Sequence, residues 1–221
     1  MLSAILLVIP LAAGAQSYCS SDGVAQPVAV LERFINADCE ACWSDPKSAK
    51  AARGELAVDW VVPGSRGDDA PLASVANRDG LARLQALRRK APAQSESVRH
   101  PAQGKAGQLR VSHGLPFNNY LGTSIELKPG TGGPWTAWLL LVETLPAGIE
   151  GSPVERNLVR NTLHQAWNKG KSLSKEEQER FFESRPMSIP DGSTPDRLRV
   201  VGWVEDARGR IVAAAESRCV N

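Results

Sequence analysis

The second half of the chain carries five β-strand patterns, and Leu109–His113 shows the clean alternation of polar and apolar residues that is typical of a half-buried strand. These predicted strands are Leu109–His113, Tyr120–Leu127, Pro134–Glu143, Arg197–Glu205 and Arg210–Glu216. Pro134–Glu143 is the most hydrophobic, so it is predicted to be central in its sheet. Asp206-Ala-Arg-Gly209 separates the last two strands and predicts a hairpin. We therefore expect residues 108–221 to form an antiparallel β-sandwich-like region.

The first half of the chain instead alternates between strand and helix patterns. Pro27–Ile35 predicts a short buried strand that includes Val28, and Glu55–Pro63 predicts a second one. Between them Trp43–Arg53 predicts a short helix, with Asp45 as its cap and a proline at its first position. A strand–helix–strand unit of this kind is expected to have parallel strands and a right-handed crossover.

The sequence also predicts two further helices and a linker between the two halves of the chain. Asn77–Lys90 predicts an amphipathic helix, with leucines on one face. Residues 92–107 are rich in Pro, Gln, Ser and Gly, and are predicted to be a linker between residues 16–91 and residues 108–221. Ser174-Lys-Glu-Glu177 is a capping box that predicts a charged surface helix running to about Phe182.

The N-terminus predicts export. Leu2–Ala13 is apolar but too short to span a bilayer as an ordinary helix, and it leads to a small-x-small cleavage pattern ending at Ala15. Residues 1–15 are therefore predicted to be a signal peptide, and the mature protein to be soluble and either periplasmic or secreted. No other stretch could span a membrane, so we expect no stable membrane insertion.

Four cysteines in an exported chain predict disulfides. Cys39 and Cys42 are natural partners because of their proximity, which leaves Cys19 to pair with Cys219. We interpret Cys19–Cys219 as a structural bridge between the two ends of the chain, with a redox role beside the first pair as the alternative.

Cys39 and Cys42 lie at the predicted strand-to-helix junction, where free N–H groups and the helix dipole favour a thiolate. A Cys-x-x-Cys pair there can close into a small reducible disulfide suited to thiol–disulfide exchange. Cys39 would be the attacking thiolate, and Cys42 would resolve the mixed disulfide. The alternatives are an inert structural disulfide and a metal site. No second Cys-x-x-Cys or suitably spaced histidine pair accompanies the two cysteines, so we predict no metal. Dithiol–disulfide exchange also requires no organic cofactor.

Charge and the remaining motifs exclude several function classes. The chain has 26 Lys and Arg against 24 Asp and Glu, a net charge of +2, which gives no indication of nucleic-acid binding. His113 and His164 lack partner motifs and are predicted to be structural rather than catalytic. The sequence contains no Ser-His-Asp motif, phosphate loop or paired-carboxylate signature.

The strand that ends in Cys-x-x-Cys resembles the thioredoxin-like superfamily. Val30–Cys42 is similar to the "vvELFTSqgCssCpp" opening of a family of secreted bacterial thioredoxin-like proteins of unknown function. Leu56–Trp60 resembles that family's next strand, and Pro146–Arg160 resembles its "aGEN.Gr...hnvVR" segment. The hairpin from Val200 to Ala215 resembles its last two strands, so the resemblance covers most of the mature chain. It implies an α/β plus β fold, in which a thioredoxin-like βαβ region is followed by the β-rich region.

The chain departs from a complete thioredoxin in ways that affect the expected site. Too few residues follow Trp60 for the further helix and two strands of that fold, so the thioredoxin-like region is expected to be trimmed. Pro71 is the candidate for the cis-proline that thioredoxins place opposite the cysteines. Asp38 and Glu40 flank Cys39 with negative charge, which would raise its pKa and oppose the helix effect.

Two further residues have both a functional and a structural interpretation. Trp43 could form part of an apolar rim for a substrate peptide, or could cover the core of the βαβ unit. Asp59 could accept a proton from Cys42, as acidic groups do in thioredoxins, or could be a solvated carboxylate at a strand edge.

The sequence thus predicts an exported thioredoxin-like protein, a possible thiol–disulfide oxidoreductase that needs a protein substrate and a protein redox partner. The alternative is a non-catalytic envelope binding or assembly module, in which both disulfides are structural and the β-rich region meets the partner. In that module the loop Pro116–Tyr120 could form a binding lip, although a plain turn would explain it equally well. Exposure of Cys39 separates the two functions, since catalysis requires it.

Overall fold

The computed structural model describes residues 19–104, 107–128, 132–168 and 180–219, and most of its regular structure is β. The described strands form two sheets. In spatial order, the seven-stranded sheet consists of β11 (Ile211–Glu216), β10 (Leu198–Glu205), β7 (Trp135–Leu145), β8 (Arg156–Trp167), β3 (Glu55–Val62), β2 (Ala29–Asn36) and β4 (Ser95–Pro101). The five-stranded sheet consists of β12 (Arg218–Cys219), β1 (Cys19–Ser20), β5 (Gln108–His113), β6 (Tyr120–Lys128) and β9 (Phe181–Ser188).

Helices are few and short among the described residues. The α-helices are α1 (Glu40–Trp43) and α2 (Asp79–Ala86), and the 3-10 helices are Gly67–Asp69, Ala73–Val75 and Pro195–Arg197. None of these helices has the length and apolar character needed to cross a membrane.

The largest core lies between the two sheets. Val111 and Ile125 from the five-stranded sheet pack with Leu139 and Val200 from the seven-stranded sheet, and all four are fully buried. The sheets approach closely at Gly202, where a Cβ atom would lie 3.0 Å from both Ile125 Cδ1 and Val111 Cγ1. The predicted β-rich fold is therefore confirmed, with two sheets packed face to face.

The other face of the seven-stranded sheet holds a second core built around tryptophans and one buried arginine. Helix α2 inserts Arg83 into this core, where its guanidinium lies 2.7 Å from carboxylate oxygens of both Glu32 and Glu205. The same guanidinium stacks over Trp138 and Trp203, at 4.8 and 5.1 Å from the ring centroids. Two carboxylates and two aromatic faces thus stabilise a cation that is wholly removed from water.

The two predicted regions share one sheet, which corrects the expected division at residues 92–107. β2 pairs with β3 in parallel, as predicted, and β3 then pairs in parallel with β8 of the second half. Ser95–Pro101, inside the predicted linker, is strand β4 and pairs antiparallel with β2. Its residues alternate between exposed and half-buried rather than between polar and apolar, so hydrophobic periodicity could not reveal it.

The helix predicted over Trp43–Arg53 is also wrong, since α1 ends at Trp43 and turns follow. Asp45 accepts a hydrogen bond from the Lys47 N–H at 2.8 Å, so the cap residue closes a turn instead of starting a helix. Val28, predicted to be buried, is 61% exposed because it precedes the sheet.

Other differences concern the remaining helices. Helix α2 is shorter than predicted because Arg88, with φ of 57°, leaves the helical conformation. Phe182 lies in strand β9 rather than at the end of a helix. The capping box at Ser174–Glu177 and the signal peptide lie outside the described residues.

Candidate functional site

Both disulfides expected from the sequence are present. Cys39 and Cys42 are bonded to each other, and so are Cys19 and Cys219, whose Cα atoms lie 4.0 Å apart on the paired strands β1 and β12. Two disulfides are typical of a protein of an oxidising compartment outside the cytoplasm.

The Cys39–Cys42 disulfide lies just after the end of β2, at the start of α1. Cys39 occupies the N-cap position, and both cysteines are partly exposed. The loop is held by backbone hydrogen bonds from the Cys39 N–H to Asn36 and from the Cys42 N–H to Cys39, at 2.9 and 3.1 Å. Because α1 is a single turn, its dipole favours a Cys39 thiolate less than the predicted longer helix would.

The carboxylate of Asp38 immediately precedes Cys39 in the chain. Asp38 accepts hydrogen bonds from the Ser65 N–H and hydroxyl, at 2.7 and 2.8 Å, and from the Arg66 N–H at 3.2 Å. Desolvation opposes ionisation, but these hydrogen bonds together hold the pKa of Asp38 below its usual value. The negative charge next to Cys39 therefore persists at neutral pH, where it disfavours a second negative charge on the sulfur.

Trp43 covers a core and presents no apolar rim. Its side chain is buried, packs with Ile35, Val61 and Leu158, and donates a hydrogen bond from Nε1 to the carbonyl of Glu150 at 2.8 Å. This contact joins the end of α1 to the turn that precedes β8.

Asp59 is not solvated, so its interpretation as a surface carboxylate at a strand edge is wrong, and its role as a proton acceptor for Cys42 stays a prediction. It is fully buried, and Arg33 Nη2 and Arg156 Nη1 lie 2.6 and 3.2 Å from its two carboxylate oxygens. The Asn157 N–H donates a further hydrogen bond at 2.7 Å. With both oxygens bound in this way, the carboxylate neutralises the buried arginines.

Arg156 connects the buried carboxylate of Asp59 to the backbone beside the Cys39–Cys42 disulfide, which is called the cysteine loop below. Its guanidinium donates hydrogen bonds to the Trp43 carbonyl at 2.7 Å, the Ser48 hydroxyl at 2.9 Å and the Ser152 hydroxyl at 2.9 Å. It also lies 5.2 Å from the centroid of the Trp43 ring. Sequence reasoning missed this role because Arg156 is far from the cysteines along the chain. The one available signal was its position in the segment Pro146–Arg160 of the family resemblance.

Pro71 does not supply the expected cis-proline. Among the described residues the cis peptide bond is Gly133–Pro134, and Pro71 is exposed. The segment after Pro71 nevertheless lies near the cysteine loop, since the Leu72 N–H donates to the carbonyl of Ala37 at 3.1 Å.

The two predicted structural histidines lie away from Cys39. His164 stacks on Trp138 with ring centroids 4.1 Å apart. His113 is buried beside the Cys19–Cys219 disulfide. Burial lowers the pKa of both histidines, so both rings are neutral at neutral pH.

Comparison with known proteins adds little to this geometry. No family model matches the chain, and no curated protein does. The solved structure of HBP35 of Porphyromonas gingivalis is similar over 86% of this chain and 74% of its own, with 11% sequence identity and a TM-score of 0.49. A similarity at this level establishes neither fold nor function.

Proposed function

We propose that this protein is an exported, thioredoxin-like thiol–disulfide exchange protein that acts on envelope proteins through Cys39 and Cys42. The observation that carries the proposal is the partly exposed disulfide between them at the end of the buried strand β2. A thiolate of another protein can reach such a disulfide, whereas a fully buried one is inert.

The surrounding elements support the finer proposal of a trimmed thioredoxin-like region. β2, α1 and β3 follow one another along the chain, and β2 pairs with β3 in parallel from Ala29↔Glu55 to Asn36↔Val62. The cysteines lie where the first strand gives way to the helix. Membership of the secreted bacterial thioredoxin-like family, and a periplasmic or secreted location, are parts of the same proposal.

The proposed exchange conserves electrons between the two proteins. The Cys39 thiolate attacks a disulfide of the substrate, forms a mixed disulfide and expels one substrate thiolate. The Cys42 thiolate then attacks Cys39 Sγ, which closes the Cys39–Cys42 bond and releases the second substrate thiolate. In this direction the substrate gains two electrons, and a dithiol protein supplies two electrons to reset the pair. The exchange is reversible, and in the opposite direction a substrate dithiol reduces the Cys39–Cys42 disulfide and becomes a disulfide itself.

The deciding measurement is the reduction potential of the Cys39–Cys42 pair in the purified mature protein. Equilibration in glutathione buffers followed by alkylation and mass spectrometry reports each pair separately. The Cys39→Ser/Cys42→Ser variant gives the signal of Cys19–Cys219 alone. We expect a potential between roughly −270 and −120 mV, the span of exchange catalysts. A value below about −300 mV with unreactive sulfurs would overturn the proposal.

A second function, the non-catalytic binding or assembly module, is favoured by one observation. Leu115, Phe117 and Tyr120 expose 64%, 75% and 53% of their surface in and beside the turn between β5 and β6. Neighbouring exposed apolar side chains are typical of contact surfaces. In this function the potential lies below about −300 mV, and Phe117→Ser weakens partner binding while Cys39→Ser/Cys42→Ser does not.

A further inference from the structure

Three residues from distant parts of the sequence form one row across the five-stranded sheet. In the strand registers His113 of β5 pairs with Cys19 of β1, and Cys19 pairs with Cys219 of β12. Directly paired residues on neighbouring strands project from the same face of a sheet. One ring nitrogen of His113 and the two sulfur atoms accordingly all lie within 4.8 Å of one another.

The imidazole of His113 has one ring nitrogen that is available to a metal ion. Its Nδ1 lies 2.9 Å from the Gly114 carbonyl oxygen, which can only accept a hydrogen bond, so Nδ1 carries the proton. In the neutral ring, Nε2 then holds a free lone pair. That atom is buried without a hydrogen-bond partner, although the residue is 5% exposed. A buried polar atom without a partner costs stability and calls for an explanation.

We propose that Cys19, His113 and Cys219 form a Zn²⁺ site when their disulfide is reduced. Two thiolates and an imidazole are ligands that Zn²⁺ prefers, and hard cations such as Mg²⁺ and Ca²⁺ do not. A backbone carbonyl that holds the second ring N–H, as Gly114 does here, is the usual support of such a histidine. Three protein ligands leave a fourth position for water or an external ligand.

The disulfide and the metal site exclude each other. A dithiol reductant supplies two electrons and two protons, the bond between the Cys19 and Cys219 sulfurs breaks, and the reductant becomes a disulfide. Zn²⁺ then displaces the two thiol protons into solvent and forms two bonds to sulfur and one to nitrogen. The two thiolate charges neutralise the ion, which lies between the buried Cys19 and His113 and the exposed Cys219.

This site is independent of exchange at Cys39 and Cys42, and the test removes that pair. The protein is the Cys39→Ser/Cys42→Ser variant of the mature chain, reduced with a phosphine and titrated with Zn²⁺ against a chromophoric chelator. We expect one Zn²⁺ per reduced chain and none on the oxidised chain. His113→Gln should weaken Zn²⁺ binding by at least ~100-fold. Loss of a residue that only supports a metal ligand weakens binding by about 10–100-fold, so a larger effect indicates a direct ligand. His164→Gln, at an exposed histidine that stacks on Trp138, should leave Zn²⁺ binding unchanged.

Three results would overturn the proposal. They are failure of the reduced chain to bind Zn²⁺, equal binding by His113→Gln, and equal binding by the oxidised chain. Far-UV circular dichroism of each oxidised variant verifies its fold. If reduction unfolds the chain, far-UV circular dichroism is recorded for the reduced chain with and without Zn²⁺. Zn²⁺ should restore the folded spectrum when His113 is present, and a chain that stays unfolded with Zn²⁺ contradicts the site.

Discussion

The guanidinium of Arg156 and the carboxylate of Asp59 form a buried ion pair, 3.2 Å apart, directly behind the cysteine loop. The same guanidinium binds the carbonyl of Trp43, the last residue of α1. The backbone that carries Cys42 is thus fastened to strands β3 and β8 through one side chain. The position of the Cys39–Cys42 disulfide therefore depends on two buried charges.

Replacing Arg156 with Met should lower the free energy of unfolding by about 3–5 kcal/mol, because Asp59 would remain buried with only part of its compensation. Urea unfolding followed by tryptophan fluorescence measures the change. Arg208→Met is the matched control, since Arg208 is exposed and should cost less than about 0.5 kcal/mol. Equal stability of Arg156→Met and the control would show that the guanidinium does not hold the loop.

Glu32 should make stability depend on acid pH. Burial alone would raise its pKa, but Arg83 and then His100 outweigh burial and lower the pKa of Glu32 to about 2, from 4.5. A depressed folded pKa stabilises the protein above the unfolded value, and this stability is lost as the pH falls from 4.5 towards 2. The contribution is about 3 kcal/mol, since one pKa unit is worth about 1.4 kcal/mol.

The Glu32→Gln variant isolates that contribution. It should be less stable than the parent at pH 7 by about 3 kcal/mol, and the difference should shrink as the pH falls and the parent carboxylate becomes protonated. Denaturant unfolding at a series of pH values measures both curves. Asp191→Asn, at an exposed carboxylate, should follow the parent curve throughout. Parallel curves for Glu32→Gln and the parent would rule out this ion pair as the cause.

Cys42→Ser should trap the first step of the proposed exchange. With no resolving thiol, Cys39 should retain a mixed disulfide after incubation with glutathione disulfide, which mass spectrometry detects as one added glutathione. Cys39→Ser is the matched control and should be modified several-fold more slowly, since Cys42 also packs against the core around Trp43. Faster modification of Cys42 than of Cys39 would reverse the assigned roles.

Gly202→Ala should destabilise the packing of the two sheets by about 1–3 kcal/mol. Its new Cβ would lie 2.9 Å from the carbonyl oxygen of Trp138 and 3.0 Å from side chains of the facing sheet. Gly122→Ala is a matched control, because Gly122 also lies in a strand and its Cβ would have no neighbour within 4 Å. Thermal unfolding compares the two, and similar midpoints would show that the sheets separate easily at this point.

The sequence predicts those features whose signal is local. The hairpin of β10 and β11, the parallel pair β2 and β3, and the Cys39–Cys42 pairing each follow from a short motif or from periodicity. β4 follows from no such motif, because an exposed edge strand needs little apolar surface once β2 offers a free edge.

The buried charges could not be predicted for a different reason. Sequence alone does not distinguish Arg33 and Arg156 from surface arginines, which are far more common. Their side chains also bind the segment after Trp43 that does not form the predicted helix. Arg156 donates to the Trp43 carbonyl and Arg33 to the Ala49 carbonyl, at 2.7 and 2.9 Å.

The Cys19–Cys219 bond spans a sequence separation of 200 residues yet joins strands that lie side by side. Tension applied to the chain beyond these two cysteines would travel through one covalent bond and bypass both sheets. The enclosed fold would then withstand stretching while the bond is oxidised. After reduction the same tension would peel β12 from β1 one hydrogen-bonded pair at a time, which gives thiol chemistry control over mechanical strength.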